Sequence, residues 1–120
     1  MSDLAEQLRA TLTKRRLPAA TELALQDAIA LAFTAAGIAF DREVHLSAED
    51  RIDFLVEGTV GLEVKISGGL SEVTRQLHRY AQHERIGSLV LVTTRMRHLA
   101  LMREFNAKRI HVLHLIGGSL

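Results

Sequence analysis

Arg51-Ile52-Asp53-Phe54-Leu55-Val56-Glu57-Gly58-Thr59-Val60-Gly61-Leu62-Glu63-Val64-Lys65-Ile66 reads as a β-hairpin with an acid on its first arm and Glu-x-Lys on its second. Apolar residues alternate along both arms: Ile52, Phe54 and Val56, then Val60, Leu62, Val64 and Ile66. A period of two sends these side chains to one face of a strand pair and Asp53, Glu63 and Lys65 to the other. Two carboxylates and an ammonium together in the middle of a sheet are costly to desolvate unless something binds between them. A divalent metal held by the acids, with the lysine beside an attacking water, accounts for all three. Pairing Asp53 with Glu63 requires Val56 to pair with Val60, so the spacing predicts a three-residue turn, Glu57-Gly58-Thr59. A two-residue turn would separate the acids onto opposite faces.

Outward from the hairpin, the pattern predicts alternating helices and strands. Leu4, Leu8 and Leu12 mark an amphipathic helix over residues 3–13. A longer helix is expected from about Pro18 to Ala36, with Leu25, Ile29, Ala32, Phe33 and Ala36 as its apolar stripe and Gly37 as its stop. Residues 38–46 read as a strand, 71–84 as a helix, and 88–94 as a strand buried on both faces. Residues 96–107 have a helical pattern, and 110–116 read as a last strand. The expected class is α/β, a mixed central sheet flanked by helices. At 120 residues the chain is expected to be one domain over 1–120.

Composition narrows the chemistry. Cysteine is absent, which excludes disulfides and thiolate catalysis. The six histidines have no zinc-motif spacing; His111 and His114, three apart in a strand, point to opposite faces. No glycine-rich phosphate loop occurs. The start lacks a signal-peptide pattern and no apolar run reaches membrane-span length, so a cytoplasmic protein without membrane contact is expected. Net charge is only +1, yet twelve of the fifteen basic residues are arginine, the better bidentate partner for phosphate. From composition alone, a solvated surface is the preferred explanation for those arginines.

Asp53, nine residues, then Glu63-Val64-Lys65 on such a hairpin, between a preceding helix and a following helix and buried strand, resembles the PD-(D/E)XK nuclease superfamily of restriction-endonuclease-like fold. The match runs from Thr21 to about Thr94 within a core of about 18–94, with Ile52 where the family's naming proline stands. Gln76-Leu77-His78-Arg79-Tyr80 matches the Gln-x-x-x-Tyr motif of its RecB-like members. The resemblance implies an α-β-β-β-α-β core, extended here by an N-terminal helix and a C-terminal α-β.

It also implies a deoxyribonuclease that leaves 5′-phosphate and 3′-hydroxyl ends and uses Mg²⁺, with Mn²⁺ able to substitute. Asp53 and Glu63, with the Val64 carbonyl, would ligate the metal, Glu22 would act on it directly or through water, and Lys65 would serve the nucleophile or the phosphate. Gln76 and Tyr80 would position Lys65 or the phosphate, although Tyr80 as a packing anchor with Gln76 as a surface amide is the structural alternative. For Glu22 that alternative is an acid at a helix N-terminus.

Arg75 and Arg79, on one helix face, would hold the DNA backbone. So small a chain implies a homodimer or a partner protein for specificity, and the leucine stripe of residues 3–13 is either that interface or part of the domain's own core. The competing functions are a catalytically inactive nucleic-acid- or protein-binding module of the same fold, and an α/β interaction protein in which Lys65 neutralises the acids.

Overall fold

The structure is a computed structural model and describes residues 3–115. Helices α1 (Leu4–Thr13) and α2 (Glu22–Ala35) precede strands β1 (Phe40–His45), β2 (Arg51–Val56) and β3 (Val60–Lys65). Helix α3 (Leu70–Tyr80) leads to β4 (Ser88–Thr93), a 3₁₀ turn (Met96–Ala100), β5 (Glu104–Phe105) and β6 (Lys108–His114). The six strands form one mixed sheet in the order β1-β2-β3-β4-β6-β5. β1, β2 and β3 are antiparallel neighbours; β3, β4 and β6 run parallel; β5 closes the edge antiparallel to β6.

The helices cover both faces. On one, α1 and α2 bury Leu8, Leu12, Leu25, Ile29 and Phe33 against Phe54, Leu62, Val64, Val90 and Val92. Phe33, Phe40 and Phe54 meet there with ring centroids 5.6–6.0 Å apart in tilted and edge-on contacts, each pair adding about 0.5–1.5 kcal/mol beyond its buried area. On the other face, Val73, Leu77 and Tyr80 of α3 pack on Ile52, Leu55, Leu89 and Leu91. β4 is buried from Leu89 to Thr93, as its unbroken apolar run requires. Leu8 and Leu12 have no exposed surface and Leu4 packs partly buried beside them, so the leucine stripe of α1 serves this core.

Hydrogen bonds set the element ends. α2 begins at Glu22 rather than Pro18, because the Thr21 hydroxyl caps it by accepting the Ala24 N–H at 3.0 Å. At its other end Gly37 adopts φ +72° and the Ile38 N–H bonds back to Phe33 O at 2.9 Å, a Schellman stop. Ala36, expected in the apolar stripe, is the exposed C-cap.

The helix expected over residues 96–107 does not form. The segment is the 3₁₀ turn followed by a tight hairpin, with Asn106 and Ala107 both at positive φ between β5 and β6. That is the geometry of a two-residue type I′ turn, which Asn favours. The apolar residues of this segment divide between surface and core: Leu99 is exposed while Leu101 and Phe105 are buried. Among the described residues no helix is long and apolar enough to cross a membrane.

The hairpin register is the expected one. Val56 pairs with Val60, Leu55 with Gly61 and Phe54 with Leu62 around the three-residue turn. Glu57 and Gly58 both take positive φ, and the Thr59 N–H closes the turn on Val56 O at 3.1 Å. The simple alternation, however, breaks at Asp53. Phe54 and Val56 face the α1–α2 core, whereas Ile52, expected beside them, is buried on the α3 face. Glu43, opposite Asp53 on β1, has φ +54°, so the kink spans both strands. Gly61 makes room for the displaced side chain: a Cβ there would stand 2.5 Å from Ile52 Cδ1.

Candidate active site

The kink converts a regular ladder into a site. Beyond Phe54–Leu62 the β2–β3 backbone pairing stops, and side chains take it over. The Glu63 Oε1 accepts the Asp53 N–H at 3.2 Å, and Asp53 Oδ2 accepts the Val64 N–H at 2.8 Å. Each carboxylate therefore commits one oxygen to the backbone and presents its second, Asp53 Oδ1 and Glu63 Oε2. Lys65 Nζ lies 3.7 Å from Glu63 Oε2. A strand residue presents its N–H and C=O to the same edge, so the Val64 carbonyl faces the gap that its N–H spans.

Glu22, in the first turn of α2, arrives at the same end of the sheet. Its Oε2 accepts the Ile66 N–H at 3.3 Å, one residue past Lys65. Its charge also reaches both acids. Burial first, and then the negative charge of Glu22 despite the bond from Val64, raises the Asp53 carboxyl to about 6. Burial and the neighbouring Asp53 raise Glu63 to about 8, with Lys65 opposing. Two acids so placed resist ionising together, and a cation between them would relieve that cost.

The chemistry of these donors suits Mg²⁺, which takes oxygen ligands and retains several waters. Among the described residues no three histidine, aspartate or glutamate side chains form a ready-made metal cage. A metal here would be held by Asp53, Glu63 and the Val64 carbonyl, with water completing its shell and Glu22 reached through one of those waters.

Gln76 and Tyr80 act as a unit, but not on Lys65. Gln76 Nε2 donates to the Tyr80 hydroxyl at 2.8 Å, and that hydroxyl donates to Arg51 O at 2.9 Å. Tyr80 is almost wholly buried, and burial, followed by the charge of Glu63, raises its hydroxyl well above the ordinary phenol range. The pair thus anchors β2 two residues before Asp53.

Arg79 is engaged by Asp50, its Nε 3.1 Å from Oδ1, while Arg75 is exposed and lines a shallow hollow on α3 with Thr74, His78 and Arg79. The histidines do not gather. His78 packs edge-on against Phe105, His83 bonds to Asp50, and His111 and His114 sit opposite Val90 and Thr93 on β6.

Two groupings escaped the sequence pattern. Asp50 is buried and accepts from both Arg79 Nε and His83 Nε2, linking the entry of β2 to the end of α3; its one signal is an acid immediately before the hairpin. Past Lys65, the carbonyls of the loop are held by the 3₁₀ segment: Arg95 Nε bonds Ile66 O at 2.7 Å, while Arg97 Nε and His98 Nε2 meet Gly68 O at 3.0 and 2.9 Å. A helix assigned to residues 96–107 hid that arrangement.

Compared with protein-family models, curated proteins and solved structures, the chain matches none of them. What its site can do therefore rests on the geometry and on the residues themselves.

Proposed function

We propose that the protein is a Mg²⁺-dependent deoxyribonuclease of the PD-(D/E)XK type, hydrolysing phosphodiester bonds to leave 5′-phosphate and 3′-hydroxyl ends. The observation that carries this reading is the split of the β2–β3 ladder at Asp53 and Glu63. There the half-buried Asp53 and the buried Glu63 each commit one carboxylate oxygen to the other strand's backbone and keep the second out of those bonds, with Lys65 Nζ 3.7 Å from Glu63 Oε2. A sheet built only for stability would continue its backbone ladder and place apolar side chains at these positions. The element order, with α2 before the hairpin and α3 and β4 after it, supports the same reading.

In this account Asp53, Glu63 and the Val64 carbonyl would hold the metal, which would supply Lewis acidity and a water acidic enough to attack at neutral pH. Lys65 orients the attacking oxygen or donates to a non-bridging phosphate oxygen as charge develops there. The new bond joins that oxygen to phosphorus as the water gives up a proton to solvent, the bond from phosphorus to the 3′ oxygen breaks, and the departing 3′ oxygen takes up a proton from solvent. Glu22 holds the Ile66 amide and so fixes the backbone behind Lys65. Gln76 and Tyr80 hold the Arg51 carbonyl and so fix the backbone before Asp53. In this reading Arg75, exposed on α3, contacts the DNA backbone, and Arg79 adds charge to that face while paired with Asp50.

The test is product chemistry. Linear, circular and four-way-junction DNA is incubated with the protein in Mg²⁺ or Mn²⁺, with Asp53→Ala and Lys65→Ala as controls. Nicks that DNA ligase seals without prior phosphorylation, absent with both variants, are the expected result. Nicking that survives both substitutions removes the site.

A further inference from the structure

We propose that Arg95 and Arg97 form a phosphate clamp that grips the DNA backbone next to the cleaved bond. The inference rests on the nuclease reading for the identity of the polyanion and deepens it, because neither arginine belongs to the hairpin or to α3. Both side chains reach back from the 3₁₀ segment to the loop that leaves Lys65. Arg95 donates Nε to Ile66 O and Arg97 donates Nε to Gly68 O. Each bond uses Nε alone, so the paired Nη groups of two exposed residues stay outside these contacts. Neither makes an ion pair among the described residues, in contrast to Arg42, Arg51 and Arg79, which face Asp27, Glu43 and Asp50.

The support beneath them is rigid. His98 has no exposed surface; its Nδ1 lies 2.6 Å from Thr93 Oγ1 and its Nε2 2.9 Å from Gly68 O. The Gly68 carbonyl can only accept, so Nε2–H is its donor, and the Thr93 hydroxyl, which accepts the Arg95 N–H, donates in turn to Nδ1. The Thr94 N–H closes on Lys65 O at 3.2 Å, so the segment that carries the arginines is tied to the catalytic strand at its last residue. A guanidinium pinned at Nε keeps a planar pair of donors aimed outward, the geometry that matches phosphate oxygens. Two such groups beside a site lined by Asp53, Glu63 and Glu22 supply the positive charge that a polyanion needs to approach those carboxylates.

The experiment measures binding of a fluorescein-labelled DNA duplex in Ca²⁺ over a series of salt concentrations, with cleavage in Mg²⁺ followed in parallel. Each of Arg95→Ala and Arg97→Ala should lower the slope of log K against log salt by about 1, and together they should weaken binding by about tenfold or more. The doubly substituted Arg95→Lys, Arg97→Lys protein should retain most of the slope, which separates charge from loop support and serves if the alanine variants unfold. Arg109→Ala, at the opposite end of the sheet, should bind as the wild type does. Unchanged affinity and slope in the alanine variants, with cleavage by the wild type intact, overturn the clamp alone. A wild type that binds DNA through these arginines yet cuts none retains the clamp and removes the nuclease reading. A wild type that binds no DNA removes both.

Discussion

The side chains of Asp53 and Glu63 replace the backbone ladder where β2 and β3 part: Glu63 Oε1 accepts the Asp53 amide at 3.2 Å, and Asp53 Oδ2 accepts the Val64 amide at 2.8 Å. The same atoms thus close the hairpin and build the site. Substitutions here will report on stability and on chemistry together, and the two must be read separately. Asp53→Asn and Glu63→Gln keep the acceptor oxygens that hold the backbone while removing the charge. Both should fold and lose at least about a thousandfold in cleavage rate, whereas Lys65→Ala should lose about 100- to 1,000-fold, the cost typical of removing one donor to developing charge. Single-turnover cleavage beside thermal melting checks this; an Asp53→Asn protein that folds and cuts normally contradicts it.

Without metal, the acid pair should make stability fall as pH rises. Burial holds Asp53 at about 6 and Glu63 at about 8, above their ordinary 3.8 and 4.5. The folded state therefore binds these protons more tightly than the unfolded chain does. Its advantage is complete below about pH 4 and is lost through pH 6 to 8. Melting temperatures in EDTA should decline across that window, Mg²⁺ should restore them at the alkaline end, and the double variant Asp53→Asn, Glu63→Gln should flatten the dependence.

Tyr80→Phe isolates the anchor of β2. The hydroxyl both accepts from Gln76 and satisfies the Arg51 carbonyl, so its loss leaves a part-buried donor and acceptor without that partner. A cost of about 1–3 kcal/mol follows, and Gln76→Ala, which spares the bond to Arg51, should cost less. Chemical denaturation measures both; equal costs would place the weight of the pair on Gln76 instead.

Asp50 should govern the acid limb. The hydrogen bond from His83, reinforced by Arg79, holds its carboxyl below the usual range. That stability is present above the ordinary value of 3.8 and is lost as pH falls below it. Asp50→Asn should cost about 1–2 kcal/mol at neutral pH, the lower part of the range for charge-assisted bonds because Arg79 is half exposed. As pH falls below 3.8 the gap between the variant and the wild type should narrow, as melting across that range will show.

Gly61→Ala tests the kink directly. A methyl group there meets Ile52 Cδ1 at 2.5 Å and Ile86 Cδ1 and Leu89 Cδ2 at 2.9 Å. Overpacking of this kind costs about 1–3 kcal/mol, and adding Ile52→Val, which removes the nearest atom, should recover part of it. Full stability of Gly61→Ala alone would mean that Ile52 is not held on the α3 face.

Much of this architecture is legible in the sequence because local rules and tertiary packing agree. The three-residue turn follows from requiring Asp53 and Glu63 to meet, and the buried run from Leu89 to Val92 marks a central parallel strand. Where they disagree, packing wins. Alternation placed Ile52 with Phe54, but the kink at Asp53 turns it over, and periodicity cannot register a kink. Helical spacing over residues 96–107 concealed Asn106 and Ala107, whose positive φ makes a hairpin. Asp53, Glu63, Lys65 and Glu22 do converge on one end of the sheet, because strand parity and helix order determine it. The Gln76–Tyr80 pair shares a helix face as its spacing requires, yet its bonds run to Arg51 O, a partner that no side-chain pattern encodes.

The most direct test of the central claim is the nicking of covalently closed plasmid DNA by the wild type and by Asp53→Ala, each in Mg²⁺ and in EDTA. Nicked and then linear product is expected from the wild type in Mg²⁺ alone, and none from Asp53→Ala. Absence of nicking by a folded wild type in Mg²⁺ and in Mn²⁺, or equal nicking by Asp53→Ala, would contradict that claim.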